Sequence, residues 1–102
     1  NLVTIAPTYN LNLYLTMENL IHELKALNFQ NHKVSIIGNH SWASAAMKIM
    51  VSHFENDFKD IEIVSEPLDI KSSLKEEDIP SIEKMADDIK ASIDAAEIKE
   101  VL

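Results

Sequence analysis

Short runs of apolar, mostly β-branched residues alternate along this chain with longer stretches whose apolar residues recur at helical spacing. The apolar runs cover residues 2–6, 34–37 and 61–64. The first run is continuously apolar, which is typical of a strand buried on both faces. Because a helix separates each run from the next, the strands are expected to lie parallel rather than form hairpins. The pattern predicts one α/β domain with the element order β-α-β-α-β-α.

Three helices are predicted from apolar stripes and start signals. Thr16 is a candidate N-cap of the first helix, and the second spans about residues 43–54. Asp78 is a candidate N-cap of the third, which has Pro80 in its first turn and runs to about Ala96. The stripes comprise Leu20, Ile21, Leu24 and Leu27, then Ala43, Ala46, Met47, Met50 and Phe54, and finally Ile82, Met85, Ala86, Ile89 and Ile93.

The segments between these elements are expected to be loops. Pro7 should end the first strand, since it lacks a backbone donor, and residues 28–32 form a polar break before the second strand. Residues 65–77 show little helical pattern and are expected to form a long connection, with an extended part through Lys71.

The composition excludes several classes of function. The net charge is −8 and the chain has no Arg, which argues against a nucleic-acid partner. No apolar run approaches the roughly 20 residues of a membrane span. The absence of Cys excludes disulfides and thiolate chemistry and is compatible with a cytoplasmic location, which we expect. No basic and apolar leader follows Asn1, and we expect the chain to be a piece of a longer protein.

Two polar segments carrying aromatic residues directly follow the first two strands. The first contains Pro7, Thr8, Tyr9 and Asn10, and the second contains Asn39, His40, Ser41 and Trp42. Because parallel strands end at a common edge, where α/β proteins bind ligands, both segments should border one site. Tyr9 and Trp42 offer flat surfaces for stacking, or alternatively cover the top of the core.

The order of these segments resembles the flavodoxin-like domain of A-type flavoproteins, the flavodiiron family. The resemblance covers most of the chain and rests on residues 7–10, 38–43, 66–67 and 71–74, together with Met17 and Glu18 at the start of the first helix. It implies a three-layer α-β-α flavodoxin-like fold with an incomplete parallel sheet. Residues 1–102 would form part of that domain, namely its third to fifth strands and their helices.

The resemblance also implies a cofactor, FMN, bound by loops 7–12 and 38–43. Its site residues would be Pro7, Thr8, Tyr9, Asn10, Asn39, His40, Ser41 and Trp42. The family's phosphate-binding loop has no counterpart in these residues, and Leu11, Asn12 and His40 stand where the family usually has Gly. Leu11 in particular is a poor residue for a left-handed backbone. We therefore expect FMN to bind this chain weakly or not at all.

The sequence is compatible with two functional hypotheses. The chain is either the FMN-binding, electron-transfer part of a flavodiiron-type oxidoreductase that reduces dioxygen or nitric oxide elsewhere, or a degenerate module that docks proteins without flavin. In the first case we expect no catalysis by this chain alone and a redox donor such as rubredoxin or a flavin reductase. In the second case the acidic residues, which concentrate from Glu55 onward, would form the contact face.

The first strand gives rise to an expectation about assembly. In a flavodoxin-like strand order it would lie in the interior of a complete sheet, so one of its edges should be unpaired here. An apolar, uncharged strand edge is a template for pairing with another chain. We therefore expect self-association through residues 2–6.

Overall fold

The computed structural model describes the backbone of residues 1–101 and the side chains of residues 1–95. Its elements, in chain order, are β1 (Leu2–Tyr9), β2 (Asn12–Leu13), α1 (Leu15–Ala26), β3 (Gln30–His40), α2 (Ala46–Asn56), β4 (Lys59–Ile63), β5 (Leu68–Lys71), a 3₁₀ turn (Glu76–Asp78) and α3 (Ile79–Val101).

The long strand β3 is the centre of the sheet. It pairs in parallel with β1 along one edge, and along its other edge first with β4 and then with β5. The short strand β2 adds to β1 in antiparallel orientation. The prediction of an α/β fold with a mostly parallel sheet is thus confirmed, and the antiparallel hairpin is an addition that the sequence reading missed.

Helices cover the two faces of β3 from opposite sides. Val34 and Ile36 point to the face covered by α1 and α2, where they share a buried core with Ile21, Met50 and Phe54. The adjacent residue Lys33 points to the other face, because side chains alternate along a strand. Its Nζ donates to the Ser92 carbonyl of α3 at 3.4 Å. The sheet therefore lies between two helical layers.

The first strand corrects two predictions. β1 continues through Pro7 to Tyr9. The N–H group that proline lacks would point to the edge that faces away from β3, so the pairing with β3 loses no hydrogen bond. The Pro7 carbonyl on that edge accepts the Tyr14 N–H at 3.2 Å. The strand is also buried on one face only, with Val3 43% and Ile5 63% exposed, because the described helices leave its second face uncovered.

The other strands are longer or more numerous than predicted. β3 begins at Gln30 and ends at His40, so most of the expected polar break and the start of the second site loop belong to the strand. The third predicted strand, residues 61–64, is observed as Lys59–Ile63. The extended part of the following connection pairs with β3 as β5. Polar residues do not stop these strands, because partner strands satisfy their backbone groups.

The helix starts also differ from the predicted ones. α1 begins at Leu15, before the expected cap Thr16, and α2 begins at Ala46 rather than near residue 43. Asp78 ends a 3₁₀ turn instead of capping α3, and its carboxylate accepts the Lys75 N–H at 3.0 Å. The predicted stripes are partly exposed, since Leu27 and Ile93 are 79% and 43% accessible.

The third helix extends beyond its predicted end near Ala96, to Val101. Among the described residues, no helix combines the length and the hydropathy needed to cross a membrane.

Candidate functional site

Both predicted segments lie at one edge of the sheet. β1 and β3 are parallel neighbours, with Pro7 opposite Asn39 close to their carboxyl ends. The segments that continue from these strands therefore emerge side by side. This is the arrangement that the sequence predicted for a shared site, although several of its residues belong to strands rather than loops.

A tight hairpin forms the first segment. Asn10 and Leu11 connect β1 to β2, and both have a left-handed backbone, with φ of 50° and 58°. Positive φ at both central residues is typical of a type I′ hairpin turn, for which Asn and Gly are the preferred residues. Leu11 thus adopts the backbone that its side chain disfavours, contrary to the expectation from sequence.

Thr8 connects the first segment to α2. Its Oγ1 accepts the backbone N–H groups of Ala45 and Ala46 at 3.2 and 2.9 Å. These groups lie at the start of a helix whose own N-cap, Ala45, has no side chain for capping. Both bonds use Thr8 Oγ1 as an acceptor, so neither of them uses its hydroxyl proton.

The end of β3 is held to β5 by polar side chains. Asn39 Nδ2 donates to the carbonyls of Ile70 and Ser72 at 3.0 and 2.7 Å. His40 Nδ1 lies 2.9 Å from one carboxylate oxygen of Asp69. These bonds orient both predicted site residues from the neighbouring strand.

Two residues of this polar cluster were missed by sequence reasoning. Ser44 Oγ donates to the second carboxylate oxygen of Asp69, so that one carboxylate holds both His40 and the loop before α2. Asp69 is 29 positions from His40 in the chain. Only the pairing of β5 with β3 brings them together, and the sequence carries no signal of that pairing.

Trp42 is the most exposed aromatic residue of the described chain. It lies in a bend after β3, and 96% of its surface is accessible. Beside it is a small cleft of about 230 Å³ between the two segments. The lining residues are Thr8, Asn10, Leu11, Ser41, Trp42 and Ala43. Ligand pockets usually measure about 300–1,000 Å³, so this cleft is smaller than a typical pocket for a whole ligand.

The remaining predicted residues, Tyr9 and Pro7, lie next to this cleft without lining it. Tyr9 is 62% exposed, and its ring packs edge to face on Tyr14, with centroids 6.2 Å apart. Pro7 borders a different groove, between β1 and α1. The structure therefore brings Thr8, Asn10, Ser41 and Trp42 together, places Asn39 and His40 behind them, and leaves Tyr9 on the flank.

Gly38 fixes the approach of α2 to this edge. A Cβ atom at residue 38 would lie 2.6 Å from both the Cβ and the backbone N of Met47. Since such distances are far inside van der Waals contact, only glycine allows the first turn of α2 to lie this close to β3. The glycine positions the loop that carries Trp42.

Comparison with known proteins identifies a solved structure of the same fold. Neither a family model nor a curated protein matches the sequence. The structure resembles that of rubredoxin oxygen:oxidoreductase from the anaerobe Desulfovibrio gigas, with a TM-score of 0.80 over 91% of this chain. The two are 19% identical, and the match spans 23% of that protein. At this identity the likeness establishes the fold, which is α/β and flavodoxin-like.

Proposed function

We propose that this chain is part of an FMN-binding electron-transfer domain of a flavodiiron-type oxidoreductase. The observation that carries the proposal is the convergence of two polar segments on one carboxyl edge, beside an indole that is almost fully exposed. The flavodoxin-like fold and the likeness to an oxidoreductase support it.

The residues at this edge suit the isoalloxazine ring of a flavin. The ring is flat, with an apolar face and a polar pyrimidine edge, so it needs a stacking surface together with backbone donors and acceptors. Trp42 would provide the surface. Ser41 and Thr8 would offer hydroxyl donors, and the hairpin turn at Asn10 backbone groups. Bound flavin would supply one- and two-electron transfer.

His40 would act on the polar side of the site. Its ring is held through Nδ1 by Asp69, and the side chain is 16% exposed. A neutral imidazole that donates from Nδ1 keeps Nε2 as a proton acceptor. In this role His40 would exchange a proton at the flavin edge.

The catalytic centre of the parent protein would lie outside these residues. The protein of similar structure carries rubredoxin and oxygen in its name, and the chain matches less than a quarter of its length. By analogy, we propose that the parent reduces dioxygen or nitric oxide and receives electrons from a donor such as rubredoxin or a flavin reductase. This chain would contribute binding of the flavin ring rather than catalysis.

The alternative proposal is a flavodoxin-like module that docks a partner protein without flavin. The exposed Trp42 and the size of the cleft fit this reading as well, since exposed aromatic residues are typical contacts in protein interfaces. In this proposal the acidic residues from Glu55 onward would form the contact face. Binding of a flavin ring separates the two proposals.

Titration with lumiflavin provides the test, because this compound contains the ring without the phosphate. Trp42 is the only Trp in the chain, so all indole fluorescence originates at the candidate site, and the Trp42→Leu variant shows whether the flavin binds there. We expect saturable quenching of Trp42 emission and, on the ligand side, quenching of flavin fluorescence. The Trp42→Leu variant should bind several-fold more weakly, since an aromatic pair is worth about 0.5–1.5 kcal/mol.

A matched control uses Leu74→Ala, which alters an exposed apolar residue outside the site. It should bind like the unmodified chain. Absence of saturable quenching, or equal binding by the Trp42→Leu variant, would contradict the flavin proposal and favour the docking module.

A further inference from the structure

One carboxylate joins the two ends of the loop that carries Trp42. Oδ1 of Asp69, on β5, lies 2.9 Å from Nδ1 of His40, and Oδ2 of the same side chain accepts the hydroxyl proton of Ser44. His40 is the last residue of β3, and Ser44 lies shortly before the start of α2. Trp42 stands midway between them in the sequence. Both ends of this loop are therefore fastened to one side chain.

The register of β3 and β5 leaves room for this contact. Asp69 is paired with Gly38, and His40 lies two residues further along β3, so the three residues share one face of the sheet. Since Gly38 has no side chain, it leaves space beside the carboxylate, which reaches along β3 to His40. The side chains of His40 and Asp69 are 16% and 23% exposed, so water competes little for their contact.

Asp69 also fixes the hydrogen-bonding state of the His40 ring. An ionised carboxylate only accepts hydrogen bonds, so Nδ1 of His40 must carry the proton that lies between the two side chains. In a neutral imidazole the second nitrogen, Nε2, then has no proton and acts as an acceptor. The carboxylate thus determines that His40 offers an acceptor rather than a donor.

His40 stands beside the candidate site. Asn39 is paired with Pro7, so the next residues of the two strands, His40 and Thr8, are neighbours on the same face of the sheet. Thr8 lines the cleft. Its Oγ1 already accepts two backbone N–H groups, so this hydroxyl can donate to a ligand but has little capacity left to accept.

The polar edge of a flavin needs both kinds of partner. It presents carbonyl oxygens on both sides of an N–H group. Hydroxyl groups such as those of Thr8 and Ser41 can donate to the carbonyl oxygens, whereas the N–H group needs an acceptor. Nε2 of His40 would supply it.

We propose that Asp69 is a positioning residue of the candidate flavin site and that, through His40, it selects a ring with an N–H group at its polar edge. This role rests on the proposed flavin binding and adds to it the residue that selects the ring. The carboxylate keeps Nε2 of His40 free to accept from the ring N–H, and through Ser44 it holds the loop from which Trp42 meets the ring face. Asp69 acts without touching the ring.

The tautomer of His40, measured without ligand, provides the first test. A long-range ¹H–¹⁵N spectrum at about pH 8.5, where an imidazole is ordinarily neutral, shows which ring nitrogen carries the proton. We expect a protonated Nδ1 in the unmodified chain and in Ser44→Ala, which keeps the carboxylate. Asp69→Ala removes the acceptor and should abolish this preference. Glu62→Ala, which removes an exposed carboxylate of β4, is the matched control and should change nothing.

Lumiflavin and 3-methyllumiflavin provide the second test. The two compounds differ only in the N–H group, whose proton the methyl group replaces. We expect the unmodified chain to bind lumiflavin about tenfold more tightly, because the methylated ring leaves the His40 acceptor unpaired. Asp69→Ala should lose most of this preference. Ser44→Ala should bind both rings more weakly and keep the preference, because its loop is held less firmly while His40 is unchanged.

The outcomes separate this role from flavin binding itself. A protonated Nε2 in the unmodified chain would overturn the role of Asp69 whether or not a flavin binds. Equal binding of the two rings by the unmodified chain, or an undiminished preference in the folded Asp69→Ala variant, would also overturn it and leave the proposed function intact. Absence of lumiflavin binding would overturn both proposals.

Discussion

Individual residues at the carboxyl edge of the sheet stabilise the fold and also belong to the candidate site. Gly38 allows α2 to approach β3, and Thr8 caps the start of α2 from a different strand. Both belong to the segments that the sequence assigned to ligand binding. Substitutions there consequently need a stability measurement beside every binding measurement.

Gly38→Ala should destabilise the fold. The added methyl group would overlap Met47 backbone atoms, and strain of this kind usually costs about 1–3 kcal/mol. Urea denaturation at neutral pH measures the change, with the exposed substitution Ser73→Ala as control. An unchanged midpoint for Gly38→Ala would show that α2 shifts without penalty.

Thr8→Val should destabilise α2 at its start. Valine keeps the shape of threonine but removes the acceptor for the Ala45 and Ala46 N–H groups. Loss of an N-cap typically costs about 0.5–2 kcal/mol. Thr8→Ser retains the oxygen and should stay close to the unmodified chain in urea denaturation, whereas equal losses in both variants would refute the capping role.

Leu11→Gly should stabilise the chain. A left-handed backbone costs a non-glycine residue roughly 1–2 kcal/mol, and Leu11 has a φ of 58°. Part of that strain is offset by the greater flexibility of glycine in the unfolded state, so we expect a gain of about 1 kcal/mol or less. In the same denaturation experiment Leu74→Gly, at an exposed position without positive φ, should show no gain.

At the scale of elements, α1 and α2 are joined by an ionic contact at their ends. The Asp57 carboxylate lies 2.6 Å from His53 Nδ1 and 3.4 Å from Lys25 Nζ of α1. The hydrogen bond with His53 is the main cause that lowers the pKa of Asp57 below 3.8, and Lys25 adds to it.

This contact predicts a pH dependence. Because the folded-state pKa of Asp57 is depressed, its stabilisation is present above the unfolded pKa near 3.8 and is lost as the pH falls through the folded value. Asp57→Asn should therefore be slightly less stable than the unmodified chain at pH 6, and the difference should vanish in strong acid. A difference that persists at pH 2 would exclude this carboxylate as its source.

The sequence predicted the elements whose signals are local. Alternating apolar runs and helical stripes were enough for β1, β3, β4 and the three helices. β5 was not recognised as a strand, since its four residues gain their order from pairing with β3. The ends of β3 were also predicted wrongly. Pairing with neighbouring strands satisfies the backbone groups of polar residues such as Asn39, so the strand continues through them.

The candidate site was predicted only in part. The shared edge follows from parallel strands, which the connections imply, so the neighbourhood of Thr8 and Trp42 could be foreseen. The contact of His40 with Asp69 depends on the register of β5, and the orientation of Tyr9 toward Tyr14 depends on the hairpin. Neither feature leaves a pattern in the sequence.

At the scale of the whole molecule, the sheet has a candidate binding site at its carboxyl edge and an unpaired edge along β1. The carboxyl edge carries Trp42 and the polar cluster around Asp69, whereas the free edge of β1 carries the groove beside α1. Only Glu18 and Glu23 of the 17 acidic residues precede Glu55. One of these two, Glu23, lines the groove beside α1.

The central claim is that residues 7–12 and 38–43 together hold a flavin ring. Mapping of lumiflavin binding by ¹H–¹⁵N NMR on the labelled chain tests it most directly. The account predicts saturable shifts at the amides of Thr8, Asn10 and Ser41 and at the indole N–H of Trp42. Shifts confined to other parts of the sheet, or none at saturating lumiflavin, would contradict it.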